Sequence, residues 1–340
     1  SIVKEAVEKV RLKAENRELR EQIETFQGKV KIISQDPGMQ RLLETARQIA
    51  STDCNVLLTG ESGTGKELFA RYLHFHSQRA EAPFLAVNCG AFTETLLSSE
   101  LFGYEKGAFT GAAAMKKGLV EMATGGTLFL DEITEMTPSM QVRLLRVIQE
   151  REVLRVGATE PVKVDVRFIA ATNRNIQEVL KKGNFREDLY FRINVVTISI
   201  PPLSERKDDI PLLSYYFLKK YNALMKKNVQ EISPDVIAIL QDYDFPGNVR
   251  ELENIIERGV ALTSGDSINI EHLPEDLKVI NIKTFRKKDG KIPTLEDQEQ
   301  AYIKWVLEEV RSNKTLASQI LGIDRVSLWR KMKKYGIDSD

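Results

Sequence analysis

The sequence predicts a parallel α/β domain with a helical lid, preceded by a coiled-coil helix and followed by an all-α helix-turn-helix domain. Three observations support this fold class. Short apolar runs alternate with amphipathic stretches over residues 29–200, as in a parallel sheet that helices cover on both faces. The strand pattern stops at Pro201-Pro202 and helical patterns follow. A second helical region with a basic end occupies residues 294–340.

The composition of the 340-residue chain is that of a globular protein with two or three domains. Apolar residues make up 42%, enough for a sizeable core. The net charge is zero, so a nucleic-acid site must be local. Cys54 and Cys89 form no CxxC pair, which favours a reducing compartment. No apolar run reaches the roughly 18–20 residues that span a bilayer, so we expect a cytoplasmic protein without a membrane partner.

Residues 1–28 form the first predicted element, a helix with coiled-coil spacing. Its apolar positions repeat every three or four residues and shift frame once, and Asn16 at a core position favours a dimer. The positions are Val3, Val7, Val10 and Ala14, then Leu12, Asn16, Leu19, Ile23 and Phe26. A solvated connector helix is the alternative. Because the chain starts at Ser1, without Met, inside this pattern, we expect that it was trimmed from a larger protein; a receiver domain, a ligand-sensing domain or neither could precede it.

Five apolar runs are the predicted strands of the α/β domain, which we assign to residues 29–200. The runs cover residues 55–59, 84–88, 127–131, 166–172 and 194–200. Residues 201–262 have helical patterns and are predicted to form the lid. Residues 263–293 contain FRKKDGK and are predicted to be a linker.

The stretch GESGTGKE follows the first predicted strand and opens a helix. It matches G-x-x-x-x-G-K in the strand–loop–helix context of a phosphate-binding loop. Backbone N–H groups of such a loop turn toward phosphates, and Lys66 is expected to reach the β- and γ-phosphates. Glu67 stands where Ser or Thr usually coordinates magnesium. The predicted nucleotide contacts here are Gly60, Glu61, Ser62, Gly63, Thr64, Gly65, Lys66 and Glu67.

Asp131 and Glu132 end the strand in GGTLFLDE, at the edge where an open α/β sheet binds its ligand. Asp131 is expected to hold Mg²⁺ through water, and Glu132 to orient the attacking water. Strand 166–172 ends in ATNRN, which places Asn173 to sense the γ-phosphate. A lone DE pair is often only exposed acids at a loop start. Beside a phosphate-binding loop, the pair predicts hydrolysis of a nucleoside triphosphate with Mg²⁺.

Three arginines are candidates for contacts with the nucleotide. The stretch FREDLYFRINV carries Arg186 and Arg192 on a short helix. In a ring ATPase, one such arginine contacts the neighbouring subunit's γ-phosphate, and the sequence leaves open which of the two does so. Solvated or salt-bridged arginines are the alternative. The stretch FPGNVRELEN places Arg250 in the first turns of a lid helix, above the nucleotide.

These motifs together resemble an AAA+ ATPase of the bacterial enhancer-binding type, the NtrC-type activators of sigma-54 RNA polymerase. The resemblance covers roughly residues 29–262, and ELFGYEKGAFTGA is its most specific element. It implies a homo-oligomer, a dimer that assembles into a hexamer or heptamer ring. It also implies that Asn88 is a switch that holds Glu132 away from the water, and that Ile33 contacts adenine, although Ser34 replaces the usual Gly. The implied sensor residues are Asn173 and Arg250.

The stretch GAFTGA at residues 107–112 resembles the loop by which this family grips sigma-54. Phe109 would supply an apolar anchor and Thr110 a hydrogen-bonding edge, within a helical insertion. An ordinary hydrophobic turn explains a buried Phe but not its setting between glycines. Tyr104 stands where the family usually has His. The implied sigma-54 contacts are Gly107, Ala108, Phe109, Thr110, Gly111 and Ala112.

Residues 311–340 carry a helix-turn-helix pattern with seven Lys and Arg against three Asp, a local net charge of +4. Basic charge on the second helix suits phosphate and major-groove contacts with double-stranded DNA. The expected contacts are Arg325, Ser327, Arg330, Lys331 and Lys334. A helical docking module is the alternative. Gly322 is expected to make the turn after a helix packed by Ala317, Ile320 and Leu321.

The C-terminal pattern is similar to the Fis-type domain of the same family, which binds enhancer DNA as a dimer. The expected dimer seam on the preceding helix is Leu295, Tyr302, Trp305, Val306 and Val310. The sequence therefore predicts an activator that uses ATP hydrolysis to open promoter complexes of sigma-54 polymerase. A DNA-binding repressor with a vestigial ATPase domain, or an AAA+ remodeller of another target, is the alternative.

Overall fold

A computed structural model describes residues 32–275, 277, 294–310 and 313–337, which fall into two compact units that divide between His272 and Leu273. The predicted coiled coil lies outside the described residues, and so does most of the predicted linker. Residues 263–272, expected from the sequence to be linker, belong to the first unit. Within the described ranges, no helix is both long and apolar enough to cross a bilayer.

The first unit is built on a five-stranded parallel sheet. Its strands, numbered along the chain, are β1 Val56–Thr59, β2 Phe84–Asn88, β5 Thr127–Asp131, β8 Arg167–Thr172 and β9 Val196–Ser199. They lie side by side in the order β2-β5-β8-β1-β9. All five predicted strands are confirmed, with ends within two residues of those expected. Three pairs of two-residue strands were not predicted: β3 Gly103–Tyr104 with β4 Lys116–Lys117, β6 Glu152–Val153 with β7 Val162–Lys163, and β10 Glu231–Ile232 with β11 Ser267–Ile268.

Helices cover both faces of the sheet. They are α1 Pro37–Ala50, α2 Lys66–Phe75, α3 Glu94–Phe102, α4 Leu119–Met122, α5 Pro138–Glu150, α6 Ile176–Lys181 and α7 Glu187–Ile193. Val56 and Leu58 pack against α1 and α2, whereas Leu57 between them packs on the other face. Burial on both faces explains why the strands read as continuous apolar runs.

The lid is helical, as predicted, apart from the β10–β11 pair. Its helices are α8 Asp209–Met225, α9 Pro234–Asp242 and α10 Asn248–Leu262. The Ser233 hydroxyl accepts a hydrogen bond from the Val236 amide at 3.4 Å, and Pro234 occupies the first turn of α9. Among the described residues of the first unit, three 3₁₀ turns lie at Ile133–Glu135, Leu203–Glu205 and Ile270–His272.

The second unit contains α11 Leu295–Glu309, α12 Lys314–Ile320 and α13 Arg325–Tyr335. Asp324 caps α13, because its carboxylate accepts from the Ser327 amide at 2.8 Å. Two expectations need correction. Ile320 is 51% exposed and does not pack the core, and Val306 is 1% exposed, so it packs within its own unit instead of on a dimer seam.

Candidate active site and contact surfaces

The loop at residues 60–65 lies at the carboxyl end of β1 and leads directly into α2. Lys66 is buried, and its Nζ donates to the carbonyl oxygens of Gly60 at 2.9 Å and Glu61 at 3.1 Å. Burial lowers the pKa of Lys66, and the carboxylates of Glu132 and Asp131 oppose that shift. The ammonium group is thus held by the loop itself at a helix N-terminus, which suits binding of nucleotide phosphates.

The two acids lie at the same carboxyl edge of the sheet, where β5 ends. Asp131 ends β5, and its carboxylate accepts from the Glu132 amide at 3.0 Å. Glu132 has a left-handed backbone with φ of 50°, and its carboxylate accepts from the Asn173 amide at 3.5 Å. Burial raises the pKa of both acids, whereas Lys66 opposes the shift. The structure therefore brings Lys66, Asp131, Glu132 and Asn173 to one site.

Asn88 lies beside Asp131, since the two residues are in register across β2 and β5. Its side-chain oxygen accepts from the Gly90 amide at 2.9 Å. Among the hydrogen bonds of the described residues, the Glu132 carboxylate bonds the Asn173 amide and not Asn88. The switch role of Asn88 stays a prediction for another nucleotide state.

The carboxylate of Glu67 is turned to its own helix, where it accepts from Arg71 at 2.7 Å. In the part of the chain that the structure describes, no group of three or more His, Cys, Asp and Glu is placed to hold a metal ion. Mg²⁺ is usually bound by one or two carboxylates together with phosphate oxygens of the substrate. Asp131, with Glu132 beside it, fits this donor set once a nucleotide supplies the phosphates.

Helix α10 of the lid contacts the phosphate-binding loop through its first turn. The Arg250 guanidinium donates to the Ser62 hydroxyl at 3.3 Å. The Val249 amide donates to the Gly63 carbonyl at 3.1 Å. A Cβ on Gly63 would lie 2.1 Å from the carbonyl oxygen of Gly247, so only glycine fits there. Arg250 is therefore at the site, as its position in the sequence predicts.

Asn248 joins the lid to the same loop and was missed from the sequence. Its amide nitrogen donates to the Glu61 carboxylate at 2.9 Å and to the Ser62 carbonyl at 3.1 Å. Its amide oxygen accepts from the Leu203 amide at 2.7 Å. Asn248 is fully buried with φ of 52°, a left-handed conformation that Asn tolerates better than most residues.

Arg206 and Asp209 were also missed from the sequence. Asp209 holds the segment that follows Ile33. Asp209 is fully buried, and its carboxylate accepts three hydrogen bonds. The donors are the Ser34 hydroxyl at 2.7 Å, the Gln35 amide at 2.7 Å and the Asp36 amide at 3.1 Å. Ile33 itself is half-buried. Ser34, the departure from the family pattern, thus has a structural partner in the lid.

Arg206 connects this segment to the phosphate-binding loop. It is 3% exposed, with Nη1 3.8 Å from the Asp209 carboxylate. Its Nη2 donates to the Thr64 carbonyl at 3.2 Å. Its Nε is buried and has no hydrogen-bond partner among the described residues. One buried ion pair therefore links the lid, the loop and the segment expected to contact adenine.

Arg186 and Arg192 lie in different settings. Arg186 is the residue directly before α7, and its guanidinium pairs with the Asp188 carboxylate at 2.7 Å. The backbone carbonyl of Arg192 accepts from the Asn55 side chain at 3.0 Å, at the amino end of β1 and opposite the phosphate-binding loop. Within the described ranges no ion pair holds Arg192, which is exposed and lines an open cavity of about 280 Å³.

Residues 107–112 form the tip of a loop, as predicted, but the loop rises from the antiparallel β3–β4 pair and not from a helix. The tip is closed by hydrogen bonds from the Gly107 amide to the Ala112 carbonyl and from the Ala112 amide to the Phe109 carbonyl. Phe109 is 44% exposed and Thr110 is also exposed, whereas Ala112 is buried. Four of the six predicted sigma-54 contacts are thus exposed together: Gly107, Phe109, Thr110 and Gly111.

The base of this loop is tied to the β6–β7 hairpin. The Glu105 amide donates to the Val156 carbonyl at 3.0 Å. Arg155 pairs with Glu105 at 2.7 Å and with Glu121 at 2.9 Å. Ala108 lies close to Gly157, where an added Cβ would come within 2.9 Å of the Ala108 Cβ. These contacts tie the loop base to the β6–β7 hairpin, and none of them is with the phosphate-binding loop.

The predicted DNA-binding residues divide between two faces of α13. Lys331 and Lys334 pair with Glu299 and Glu296 of α11, at 2.5 Å and 2.6 Å. The Ser327 hydroxyl donates to Asp324 at 2.7 Å. The opposite face is exposed and carries Arg325, Val326, Trp329, Arg330 and Lys333. Trp329, with the Lys333 ammonium 5.4 Å from its ring, was missed from the sequence although it lies one turn after Arg325.

Three family models match the chain in series. Residues 32–199 match the sigma-54 interaction domain, and residues 204–289 match the AAA+ ATPase lid domain. Residues 294–335 match the bacterial regulatory protein, Fis family. The first match contains both the nucleotide site and the loop at 107–112.

Curated relatives are similar over nearly the whole chain. The regulatory protein AtoC of Escherichia coli K12 is 43% identical over 343 residues, which cover 99% of this chain and 74% of AtoC. The transcriptional regulatory protein ZraR of Salmonella typhimurium is 48% identical over 303 residues, covering 89% of this chain and 68% of ZraR.

Solved structures of NtrX from Brucella abortus agree in fold. The ADP complex has a TM-score of 0.72 at 32% identity and covers 97% of this chain and 75% of NtrX. The ATP complex has a TM-score of 0.71 at 33% identity and covers 95% and 73%.

Proposed function

The chain belongs to the family of sigma-54-dependent transcriptional activators, and from this premise we propose how its residues couple ATP hydrolysis to the opening of promoter complexes. Its AAA+ domain is an ATPase, and its Fis-type domain binds DNA. The observation that carries the coupling proposal is the separation of two features. Lys66 and Glu132 lie at the sheet edge, whereas Phe109 and Thr110 are exposed on a loop with its own supports.

We propose that Lys66 binds the β- and γ-phosphates and that Glu132 orients the attacking water. The Nζ of Lys66 is held by loop carbonyls, so it carries its charge without a competing acid in hydrogen-bond range. The raised pKa of Glu132 makes its carboxylate a better proton acceptor. Asn173 donates to that carboxylate through its backbone, which leaves its side chain free to sense the γ-phosphate.

Mg²⁺ is the proposed metal, held by Asp131 through water. When bound with ATP, it would neutralise charge on the phosphate oxygens. Arg250 is the proposed lid contact to the nucleotide, because its guanidinium already lies at Ser62. Ile33 is the proposed adenine contact, on a segment that Asp209 fixes.

A homo-oligomeric ring is the proposed active form, built from dimers into a hexamer or heptamer. Arg192 lies at the amino end of β1, and the phosphate-binding loop lies at the carboxyl end of that four-residue strand. Such a strand spans about 13 Å, so Arg192 is better placed for a neighbour's nucleotide than for its own. We propose Arg192 as the finger that acts in trans, since Asp188 already pairs with Arg186.

Enhancer DNA is the proposed partner of the exposed face of α13. Arg325 and Arg330 are free to contact DNA there, while Ser327 stabilises the helix start. Lys331 and Lys334 would reach phosphates only by exchanging their glutamate partners. Because bacterial DNA and polymerase share the cytoplasm, we propose that the protein acts there.

The experiment that tests the coupling measures two activities on the same preparations, ATP turnover and open-complex formation at a sigma-54 promoter. Phe109→Ala and Thr110→Ala are expected to keep ATP turnover within about twofold and to lose open-complex formation, because both side chains lie outside the nucleotide site. Glu132→Gln is the control, which should bind ATP, turn it over far more slowly and lose both activities.

Two outcomes would contradict the proposal. Loss of both activities in step by Phe109→Ala and Thr110→Ala would indicate a structural role for the loop. Retention of both activities would leave the loop without the proposed contact. If the wild-type protein bound DNA but turned over no ATP, a repressor with a vestigial ATPase domain would be favoured instead.

A further inference from the structure

The ring of Phe109 makes one aromatic contact in the part of the chain that the structure describes, and its partner is Tyr104. The ring centroids are 4.9 Å apart and the planes meet at 63°. Aromatic pairs prefer such edge-to-face geometry, which contributes beyond the buried area alone. The residue expected to grip sigma-54 is thus packed, on one side, against its own loop base.

Tyr104 is fixed to that base. It lies in β3, opposite Lys116 of β4, and forms a further bridge to Val156. The next residue, Glu105, is tied to Arg155 at 2.7 Å and through its amide to Val156. Any movement of the tip that carries Phe109 outward must therefore leave Tyr104 behind.

The tip has the freedom to make that movement. Gly107 and Gly111 border it with φ of 82° and 105°, and an added Cβ at either would meet nothing within 4 Å. Glycine adopts such angles at little cost, so both sites can serve as hinges once the hydrogen bonds that close the tip are broken. The loop therefore has two hinges in open space and one aromatic contact across them.

We propose that Tyr104 is a positioning residue that holds Phe109 against the loop base and so sets how often the loop presents Phe109 to sigma-54. This inference rests on the proposed function of the loop. An edge-to-face pair changes such an equilibrium by roughly 2- to 12-fold. The contact between the two rings would then have to break when bound nucleotide drives the loop outward.

The test compares Tyr104→Leu, which removes the ring but keeps apolar bulk, with Tyr104→Phe, which keeps the ring. Tyr215→Leu is the matched control, because Tyr215 is exposed on the lid at 47% and lies outside the loop. Mobility of the tip is read from a nitroxide label on Thr110→Cys in a Cys54→Ser background, since the other cysteine, Cys89, is buried. Sigma-54 affinity is measured without nucleotide and with a transition-state mimic of ATP, using unlabelled protein.

Tyr104→Leu is expected to raise label mobility and to raise sigma-54 affinity without nucleotide by roughly 2- to 12-fold. Tyr104→Phe and Tyr215→Leu should match the wild type in both measurements, and ATP turnover should be unchanged in all three. Unchanged mobility in Tyr104→Leu would overturn the inference. The inference would also be overturned if Tyr104→Leu raised label mobility but left sigma-54 affinity without nucleotide unchanged, while the variant still bound sigma-54 in the presence of the transition-state mimic. If the wild type bound sigma-54 in no nucleotide state, the proposed function itself would fail, and this inference with it.

Discussion

The substitution Asp209→Asn tests whether the buried ion pair of the lid organises the nucleotide site. Asn has nearly the same shape, and its oxygen can still accept from the amides of Gln35 and Asp36. Its NH₂ group can donate to the Ser34 hydroxyl. What is lost is the charge that faces the buried guanidinium of Arg206.

The expected cost follows from that loss. Removing one partner of a buried ion pair typically costs about 3–5 kcal/mol, because the other charge stays buried. The nearest N–O separation here is 3.8 Å, at the outer limit of an ion pair. We therefore expect the lower end, about 3 kcal/mol, in the free energy of unfolding of the first unit.

Urea unfolding offers an assay with an internal control. Circular dichroism at 222 nm follows helices of both units. Both tryptophans of the chain, Trp305 and Trp329, lie in the second unit, so tryptophan fluorescence follows that unit alone. Asp209→Asn should lower the midpoint seen by circular dichroism and leave the fluorescence transition unchanged.

The matched control is Asp208→Asn, the same substitution at the exposed neighbouring residue, which should change stability by less than about 0.5 kcal/mol. ATP affinity should fall only in Asp209→Asn, because Arg206 then loses a constraint that also positions Thr64. A change below about 0.5 kcal/mol in Asp209→Asn would refute the reasoning, since no buried charge would then have been left unpaired.

Three further results are expected. Burial lowers the pKa of His74 to about 4 from its usual 6.5, so its contribution to stability is complete above pH 6.5 and is lost toward pH 4. In urea unfolding at stepped pH, His74→Gln should reduce the loss of unfolding free energy between pH 6.5 and 4 by up to about 3 kcal/mol. The same pH profile in the variant and the wild type would contradict this role of His74. Mixing Arg192→Ala with Lys66→Ala subunits should restore part of the ATP turnover that each lacks alone, and no restoration in any ratio would argue against a finger acting in trans. With Trp305→Phe as background, enhancer DNA should quench the fluorescence of Trp329, and unchanged emission at saturating DNA would place α13 elsewhere.

The sheet could be predicted from the sequence because its signal is local. Each strand is buried on both faces, so Val56, Leu57 and Leu58 are all apolar and a continuous run appears. The two-residue strands β3 and β4 are too short to show any period. The loop between them was therefore expected in a helical setting, and its antiparallel base was not foreseen.

The nucleotide site could be predicted only where a motif carries it. Lys66, Asp131 and Glu132 follow strands in recognisable stretches, and the structure brings them together. Asn248 bonds Glu61 across 187 positions of sequence, and Asp209 bonds Ser34 across 175. Such pairs leave no local pattern, because each residue type is common in polar segments.

The net charge of α13 also fails to predict which of its basic residues are available for DNA. Lys331 and Lys334 add to the basic total, yet both face α11, where Glu299 and Glu296 balance them. A count of charges does not distinguish the faces of a helix. The helical period does, and it groups Arg325, Trp329 and Lys333 on one exposed face.

The contact between Gly63 and the lid gives the phosphate-binding loop a second constraint, one that ATP does not impose. A side chain at residue 63 is excluded by the carbonyl oxygen of Gly247, 184 positions later, and the Val249 amide bonds the Gly63 carbonyl. A change in either segment therefore has to fit the other. A lid taken from a relative would fit this loop only if its own turn before α10 left the same gap. The loop and the lid would therefore have to be exchanged together in a chimeric protein.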